Sequence, residues 1–245
     1  MTEFGLIGRN ISYSFSKQYF TKKFENEHLH CSYNNFDLKE IIEFPNILST
    51  HPKLKGLNVT IPYKEEIIPF LDNLSKNAKK IGAVNTIKIE KNGKLKGYNT
   101  DFYGFIKSLE PHLKPHHKKA LILGTGGASK AVAFALKKLE IPYSFVSRNY
   151  SDHVNFIYEN LNSPIIASHQ IIINCTPLGT YPAVDACPNI PYEHITSKHL
   201  LFDLIYNPSE TLFLKKGKQH GAQILNGLQM LELQAEKAWK LWNKP

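Results

Sequence analysis

The chain is 245 residues long, 42% hydrophobic and 21% charged, an ordinary globular make-up with room for one large domain or two modest ones. Its formal net charge of +9 comes from lysines scattered along the chain, without an arginine-rich run or a stacking-aromatic motif. A nucleic-acid-binding stripe therefore has no support, and a positive field for small anions fits better. Cys31, Cys175 and Cys187 are too few and too far apart for a disulfide framework or a metal set. The histidines form no His-Glu-x-x-His pattern, so no metal is expected. The N-terminal Met1-Thr-Glu-Phe-Gly5 lacks the basic and apolar regions of a secretion signal, and no apolar run is long enough to span a membrane. The expected setting is a reducing cytoplasm.

Taken in order, the apolar run Phe4 to Ile7 predicts a first strand. The polar loop Arg9 to Lys17 leads into a helix over residues 18–27. Ser14 and Ser16 lie two apart, so in an extended loop both hydroxyls face one way; they suit either a pair of donors to a carboxylate or a plain helix cap. Tyr33 to Phe36 predicts a strand and residues 37–44 a helix ended by Pro45. Leu57 and Val59 predict a strand, followed by a helix from Pro62 to Ile68. Lys64 then falls in a first helical turn, where the dipole disfavours a cation. Such a misfit draws attention to function.

Residues 81–89 predict another strand, interrupted by the polar Asn85 and Thr86. Lys91-Asn-Gly-Lys94 predicts a hairpin turn, Leu95 to Tyr98 its return, and Asn99-Thr-Asp101 the start of a helix over residues 102–109. Residues 110–119, rich in proline, histidine and lysine, read as a connection between domains.

Ala120-Leu-Ile-Leu-Gly-Thr-Gly-Gly-Ala-Ser-Lys130 follows. It reads as a strand covered on both faces, a glycine turn and an amphipathic helix. Gly124, Gly126 and Gly127 allow the turn and a close approach of pyrophosphate to the helix N-terminus. A second apolar run, Tyr143 to Val146, comes about 20 residues on, where a dinucleotide fold places its next strand. It ends in Ser147-Arg148-Asn149, with no acid for a ribose hydroxyl. An arginine there suits a 2′-phosphate, so NADP is expected rather than NAD. Strands are further predicted at Ile165-Ile166, at residues 171–173, 200–204 and 223–225, with a short helix over 211–218. A strong C-terminal helix has Leu228, Leu231, Ala235, Ala238, Trp239 and Trp242 on one face, with Gln234 at the edge of the buried side.

Together these segments resemble the shikimate dehydrogenase family. The matching segments are Gly8 to Ser16, Asn58-Val-Thr-Ile-Pro-Tyr-Lys64, Gly82-Ala-Val-Asn-Thr86, Asn99-Thr-Asp101, Gly124 to Ser129, Asn174-Cys-Thr-Pro-Leu-Gly179, Asp203-Leu-Ile-Tyr206 and Gly227 to Gln234. They cover nearly the whole chain in the family's order. The resemblance implies two α/β domains with an active-site cleft between them. A substrate-binding catalytic domain would take residues 1–101 with 226–245, and a Rossmann-like NADP-binding domain residues 102–225.

The resemblance further implies Lys64 and Asp101 as catalytic residues, with Ser14, Ser16, Thr60, Asn85, Asp101, Tyr206 and Gln234 binding substrate. Cofactor binding would fall to Gly124, Thr125, Gly126, Gly127, Ala128, Ser147, Arg148, Asn174, Thr176 and Gly227. The implied reaction is the reversible NADPH-dependent reduction of 3-dehydroshikimate to shikimate in chorismate biosynthesis, by a monomer or homodimer. Two departures stand out: the family's His-Ser-x-Ser-Pro is Tyr13-Ser-Phe-Ser-Lys17 here, and its Asn-Arg-Thr is Ser147-Arg148-Asn149. The alternatives are an NAD-using quinate/shikimate dehydrogenase and a non-catalytic ligand-binding homologue.

Overall fold

Two six-stranded sheets organise the chain, which the computed structural model describes over residues 1–12 and 14–244. The chain divides into two compact units, Met1–Thr100 with Ala235–Pro245, and Asp101–Gln234. The first sheet holds β1 (Thr2–Gly8), β2 (Cys31–Asp37), β3 (Leu54–Val59), β4 (Asn73–Leu74), β5 (Thr86–Ile89) and β6 (Leu95–Tyr98), in the order β2-β1-β3-β5-β6-β4. β1 is parallel to β2 and β3, whereas β5 is antiparallel to β3 and β6.

Both faces of this sheet are covered, which is why its central strands read as apolar runs. On one face Ile7, Leu57, Val59, Tyr63 and Ile87 form a core. On the other lie Phe4, Leu6 and Tyr33 with Phe20 and Phe24 of α1 (Phe15–Asn26) and Ala238 and Trp242 of α8 (Leu228–Trp242). Trp242 donates its indole N–H to the Ile87 carbonyl at 2.9 Å. A Cβ at Gly56 would lie 2.2 Å from the indole nitrogen, so a glycine on β3 makes room for the ring.

The second sheet holds β7 (Ala120–Leu123), β8 (Tyr143–Ser147), β9 (Phe156–Ile157), β10 (Ile171–Asn174), β11 (Leu200–Asp203) and β12 (Gln223–Leu225). All pairings are parallel and the order is β12-β11-β10-β7-β8-β9. Two halves thus diverge from β7 and β10, the order of a dinucleotide-binding fold with its switch point between those strands. One face packs on α4 (Asp101–Leu109), α5 (Gly127–Lys138) and Met230 of α8. The other packs on α6 (Ser163–Ser168) and α7 (Leu212–Gln219). α4 and α8 meet closely at Gly104, where a Cβ would lie 2.4 Å from the Met230 carbonyl oxygen.

Four local expectations are corrected. Residues 37–44 do not form one α-helix: only Ile41–Glu43 make a 3-10 turn before an α-helix starts at Phe44. Asp37 ends β2, where its carboxylate accepts the amides of Asn10 and Ile11. Pro45 sits in the first turn of α2 (Phe44–Thr50) and begins that helix, because its fixed φ suits a first turn. Residues 62–67 form successive turns rather than an α-helix, and Ile68–Phe70 is a 3-10 turn. The Lys64 carbonyl accepts the amide of Val84 at 2.7 Å, while the Ile68 amide turns to Glu65. With that carbonyl taken by a distant segment, the helical ladder does not propagate, and the dipole argument for Lys64 falls away. Ile81 ends α3 (Lys76–Ile81), closed by Gly82 at φ +72°, and the strand starts only at Thr86. Ile165 and Ile166 lie in α6, whose start is set by an Asn162 cap and Pro164.

Candidate active site

In the first unit, Ser14 occupies the N-cap position of α1, but its side chain makes no capping hydrogen bond. Its hydroxyl oxygen is buried and has no partner among the described residues. The plain helix-cap reading of Ser14 is therefore corrected: a buried, unsatisfied donor remains, and such groups demand a ligand or an explanation. Ser16 lies in the first turn of that helix and is half-buried. Tyr13, the loop's departure from the family pattern, lies outside the described residues; Lys17 is exposed in the first turn.

Thr60 and Lys64 follow β3. The Thr60 amide bonds the Ile7 carbonyl at 2.9 Å, and both residues are half-buried. Asn85 is 3% exposed. Its Nδ2 donates to Thr100 Oγ1 at 2.9 Å, and its Oδ1 accepts the Thr100 amide at 2.6 Å. Asn85 thus ties the start of β5 to the residue before Asp101, in addition to any role toward a ligand. The polar pair Asn85-Thr86, odd for a core strand, belongs to a buried polar line with Asn58, whose Nδ2 reaches the Asn85 carbonyl and Thr86 Oγ1 at 3.2 and 3.3 Å.

In the second unit, Asp101 is buried and opens α4. Gln234 is also buried and donates Nε2 to the Leu231 carbonyl at 3.0 Å. The glycine turn joins β7 to α5. Gly124 adopts φ +100°, a conformation L side chains rarely take, and a Cβ there would lie 3.1 Å from Thr176 Cγ2. Gly126 is the N-cap of α5, and a Cβ there would meet nothing within 4 Å. The backbone at Gly126 is thereby bared to open space beside a helix N-terminus, the form that suits a phosphate cradle. Thr125 is exposed, and Gly127 and Ala128 are half-buried in the first turn. Ser129, in the third glycine position, is buried and donates its hydroxyl to the Gly126 carbonyl at 2.7 Å, closing that turn. Ser147 ends β8 and Arg148 projects from an exposed position just after it.

Asn174 ends β10 and is fully buried. Its Oδ1 accepts the Thr176 amide and hydroxyl at 3.0 and 2.6 Å, while its Nδ2 donates to Asp203 Oδ1 at 3.0 Å. Its side chain holds the loop that brings Thr176 to Gly124. Gly227 has a packing reason of its own: a Cβ there would lie 2.1 Å from the Leu204 carbonyl oxygen. Tyr206 follows the same turn, half-buried.

Asp203 is the residue that sequence reasoning left without a role. It ends β11 directly opposite Asn174 and is completely buried. It accepts from Asn174, from the Ile205 amide at 3.1 Å and from Thr211 Oγ1 at 2.5 Å. Burial raises its pKa to about 6, and those hydrogen bonds pull the other way. Through Thr211, the cap of α7, this one carboxylate joins two strand ends and a helix. Among the described residues no group of three or more His, Cys, Asp or Glu is placed to hold a metal, and no helix is long and apolar enough to cross a membrane.

Comparison with known proteins agrees with this layout. Residues 6–87 match the family described as the shikimate dehydrogenase substrate binding domain. A shikimate dehydrogenase (NADP(+)) of Methanosphaera stadtmanae is 38% identical over 259 residues, covering 97% of this chain and 90% of the relative. The structure of shikimate 5-dehydrogenase from Thermus thermophilus, in complex with NADP(H) and shikimate, superposes with a TM-score of 0.88 at 30% identity, covering 99% of this chain and 94% of that one. Quinate dehydrogenase from Corynebacterium glutamicum in complex with NAD has a TM-score of 0.87 at 25% identity, over 99% and 93% of the two chains. An ordered set of loop motifs, a dinucleotide-order sheet and identity along almost the full length coincide, and the chain belongs to the shikimate dehydrogenase family.

Proposed function

We propose that this chain is an NADP-dependent shikimate dehydrogenase that reversibly reduces 3-dehydroshikimate to shikimate, as a soluble cytoplasmic enzyme of chorismate biosynthesis. The observation that carries the reading is the bared backbone of Gly126 at the switch point, with Arg148 and no acid after the next strand. The residues fit the cofactor. Gly124 to Ala128 hold the pyrophosphate, Thr176 lines the same turn, and Arg148 takes the 2′-phosphate through its planar charged fork. The bound cofactor supplies the hydride.

The chain's own residues supply binding and charge. Ser14 and Ser16 bind the substrate carboxylate, the buried Ser14 hydroxyl gaining the partner it lacks. Thr60, Asn85, Tyr206 and Gln234 contact the ring hydroxyls and fix the face offered to the hydride. As negative charge grows on the carbonyl oxygen, the ammonium of Lys64 stabilises it and donates a proton from Nζ, with Asp101 orienting that group. In this reading residues 1–101 with 226–245 serve the substrate and residues 102–225 the cofactor.

Initial rates read in the reduced-nicotinamide absorbance band, with shikimate or quinate and NADP⁺ or NAD⁺ in all four pairings, test this. Turnover confined to shikimate with NADP⁺ is expected. A preference for quinate with NAD⁺ would move the chain to the sister activity, which the overlay on the quinate enzyme makes the second reading. Folded protein inactive in every pairing would leave a ligand-binding homologue.

A further inference from the structure

In the second sheet β7, β10 and β11 end side by side, with Leu123, Asn174 and Asp203 in one register row. Loops that follow such strands at a switch point flank the ligand crevice of a parallel sheet. The loop after β10, residues 174–179, is tied to Asp203 at both ends. At its start Asn174 Nδ2 donates to Asp203 Oδ1 at 3.0 Å, and the Asn174 carbonyl accepts the Leu204 amide at 3.1 Å. At its far end a Cβ on Gly179 would lie 3.4 Å from Thr211 Cβ, so the loop rests on Thr211. The Thr211 hydroxyl donates to Asp203 Oδ2 at 2.5 Å. Between the two ends Asn174 Oδ1 accepts the amide and hydroxyl of Thr176, and Thr176 Oγ1 accepts the Leu178 amide at 3.3 Å. Thr176 in turn lies against Gly124, where a Cβ would be 3.1 Å from its Cγ2.

We propose that Asp203 is a positioning residue for the cofactor: one oxygen staples the start of the 174–179 loop through Asn174, the other its far end through Thr211, and the staple sets Thr176 against the glycine turn that takes the pyrophosphate. The inference rests on the functional reading above. Asn174, Asp203 and Thr211 are fully buried, so water does not loosen these bonds. The donors to the carboxylate, from Asn174, Ile205 and Thr211, are all neutral. A carboxylate buried without a cation costs the fold its hydration, and neutral groups could tie two strand ends together without that cost. What the charge adds is stronger bonds that hold each donor in one geometry. That stiffness serves a loop whose Thr176 must stand in one place beside Gly124.

Calorimetric binding of NADP⁺ and NAD⁺ to the folded protein, with steady-state rates alongside, tests the staple. Asp203→Ala removes both arms. Losing a hydrogen bond to a charged group corresponds to roughly ten- to a hundredfold, and with part of that reaching the cofactor the Kd for NADP⁺ should rise about tenfold. NAD⁺ should weaken by the same factor, because the staple acts on the turn that both dinucleotides share and not on the 2′-phosphate. At saturating cofactor, kcat and the KM for shikimate should stay within about twofold. Asp203→Asn keeps an oxygen for Asn174 and Ile205 and disturbs only the Thr211 arm, and Thr211→Val deletes that arm from its other end. Each should weaken both dinucleotides about threefold, and these milder variants decide the matter if Asp203→Ala does not fold. A carboxylate that only braces the fold would lower the melting temperature and leave the Kd values of folded protein unchanged. That result overturns the staple, as does a loss confined to NADP⁺ or one that falls equally on shikimate. A wild type that binds neither dinucleotide fails the functional reading on which the staple depends.

Discussion

The two units bury their polar residues in different places. In the dinucleotide-order sheet β7 is apolar throughout and β10 and β11 until their last residue, so that on these central strands the polar groups Asn174 and Asp203 stand at the ends, Ser144 inside β8 being the exception. In the first sheet the polar groups Tyr33, Asn58 and Thr86 sit within or across the strands, below helices, and bond to one another through the core. The difference separates two ways of building a site. One grafts chemistry onto loops at the edge of an inert sheet. The other makes the sheet itself part of the site's support, so that substrate loops inherit the rigidity of the core.

The contrast is broken most severely at the proton donor. Lys64 stands on a run of turns held by a backbone bond to Val84, so Lys64→Ala leaves its support intact. General acid groups contribute roughly 10²–10⁴-fold, and kcat should fall by that much with little change in KM for shikimate. A kcat within a few-fold of wild type would remove Lys64 from the reaction. Next comes the edge of the second sheet. Arg148 is exposed and sits after the strand end, so Arg148→Ala should leave the fold alone and weaken NADP⁺ by roughly 10²-fold through lost charge-assisted bonds. NAD⁺, lacking the 2′-phosphate, should change within about twofold. Equal weakening of both would give the arginine a structural role instead.

Legibility follows the same division. The turn from Gly124 to Ser129 is local, so its residues announce it, and even the serine in the third glycine position does its work within four residues by closing on Gly126. The elements that sequence misplaces are those decided from outside. Residues 62–68 carry a proline and helix-forming residues, but the Lys64 carbonyl is claimed by Val84, twenty positions away. Residues 81–89 read as one strand until Gly82 turns the chain. Asn174 has a task that no motif names: its amide bonds Thr176 and Asp203. Tyr33 leaves no signal at all. A tyrosine in a strand is ordinary, and its partner Asn58 is 25 residues on.

Asp203 offers the finest test, because its signature is a slope rather than a loss. Burial raises its folded-state pKa to about 6 from the 3.8 of a free aspartate. Between those values the folded state holds the proton more than the unfolded state does, so this group's contribution to stability falls as pH rises from about 4 to about 6. The size is on the order of 3 kcal/mol. Asp203→Asn removes the titration. Its baseline will differ, since an amide replaces an acceptor of three hydrogen bonds, but its unfolding free energy should lack this fall. Denaturant unfolding at closely spaced pH values gives both curves, and the stability of the wild type relative to Asp203→Asn should decline across that window. A flat or rising difference would mean that the three donors hold the carboxylate ionised in spite of its burial. The node at the edge of the second sheet would then match the hydrogen-bonded line inside the first in leaving no net charge penalty, and the two designs would differ only in place.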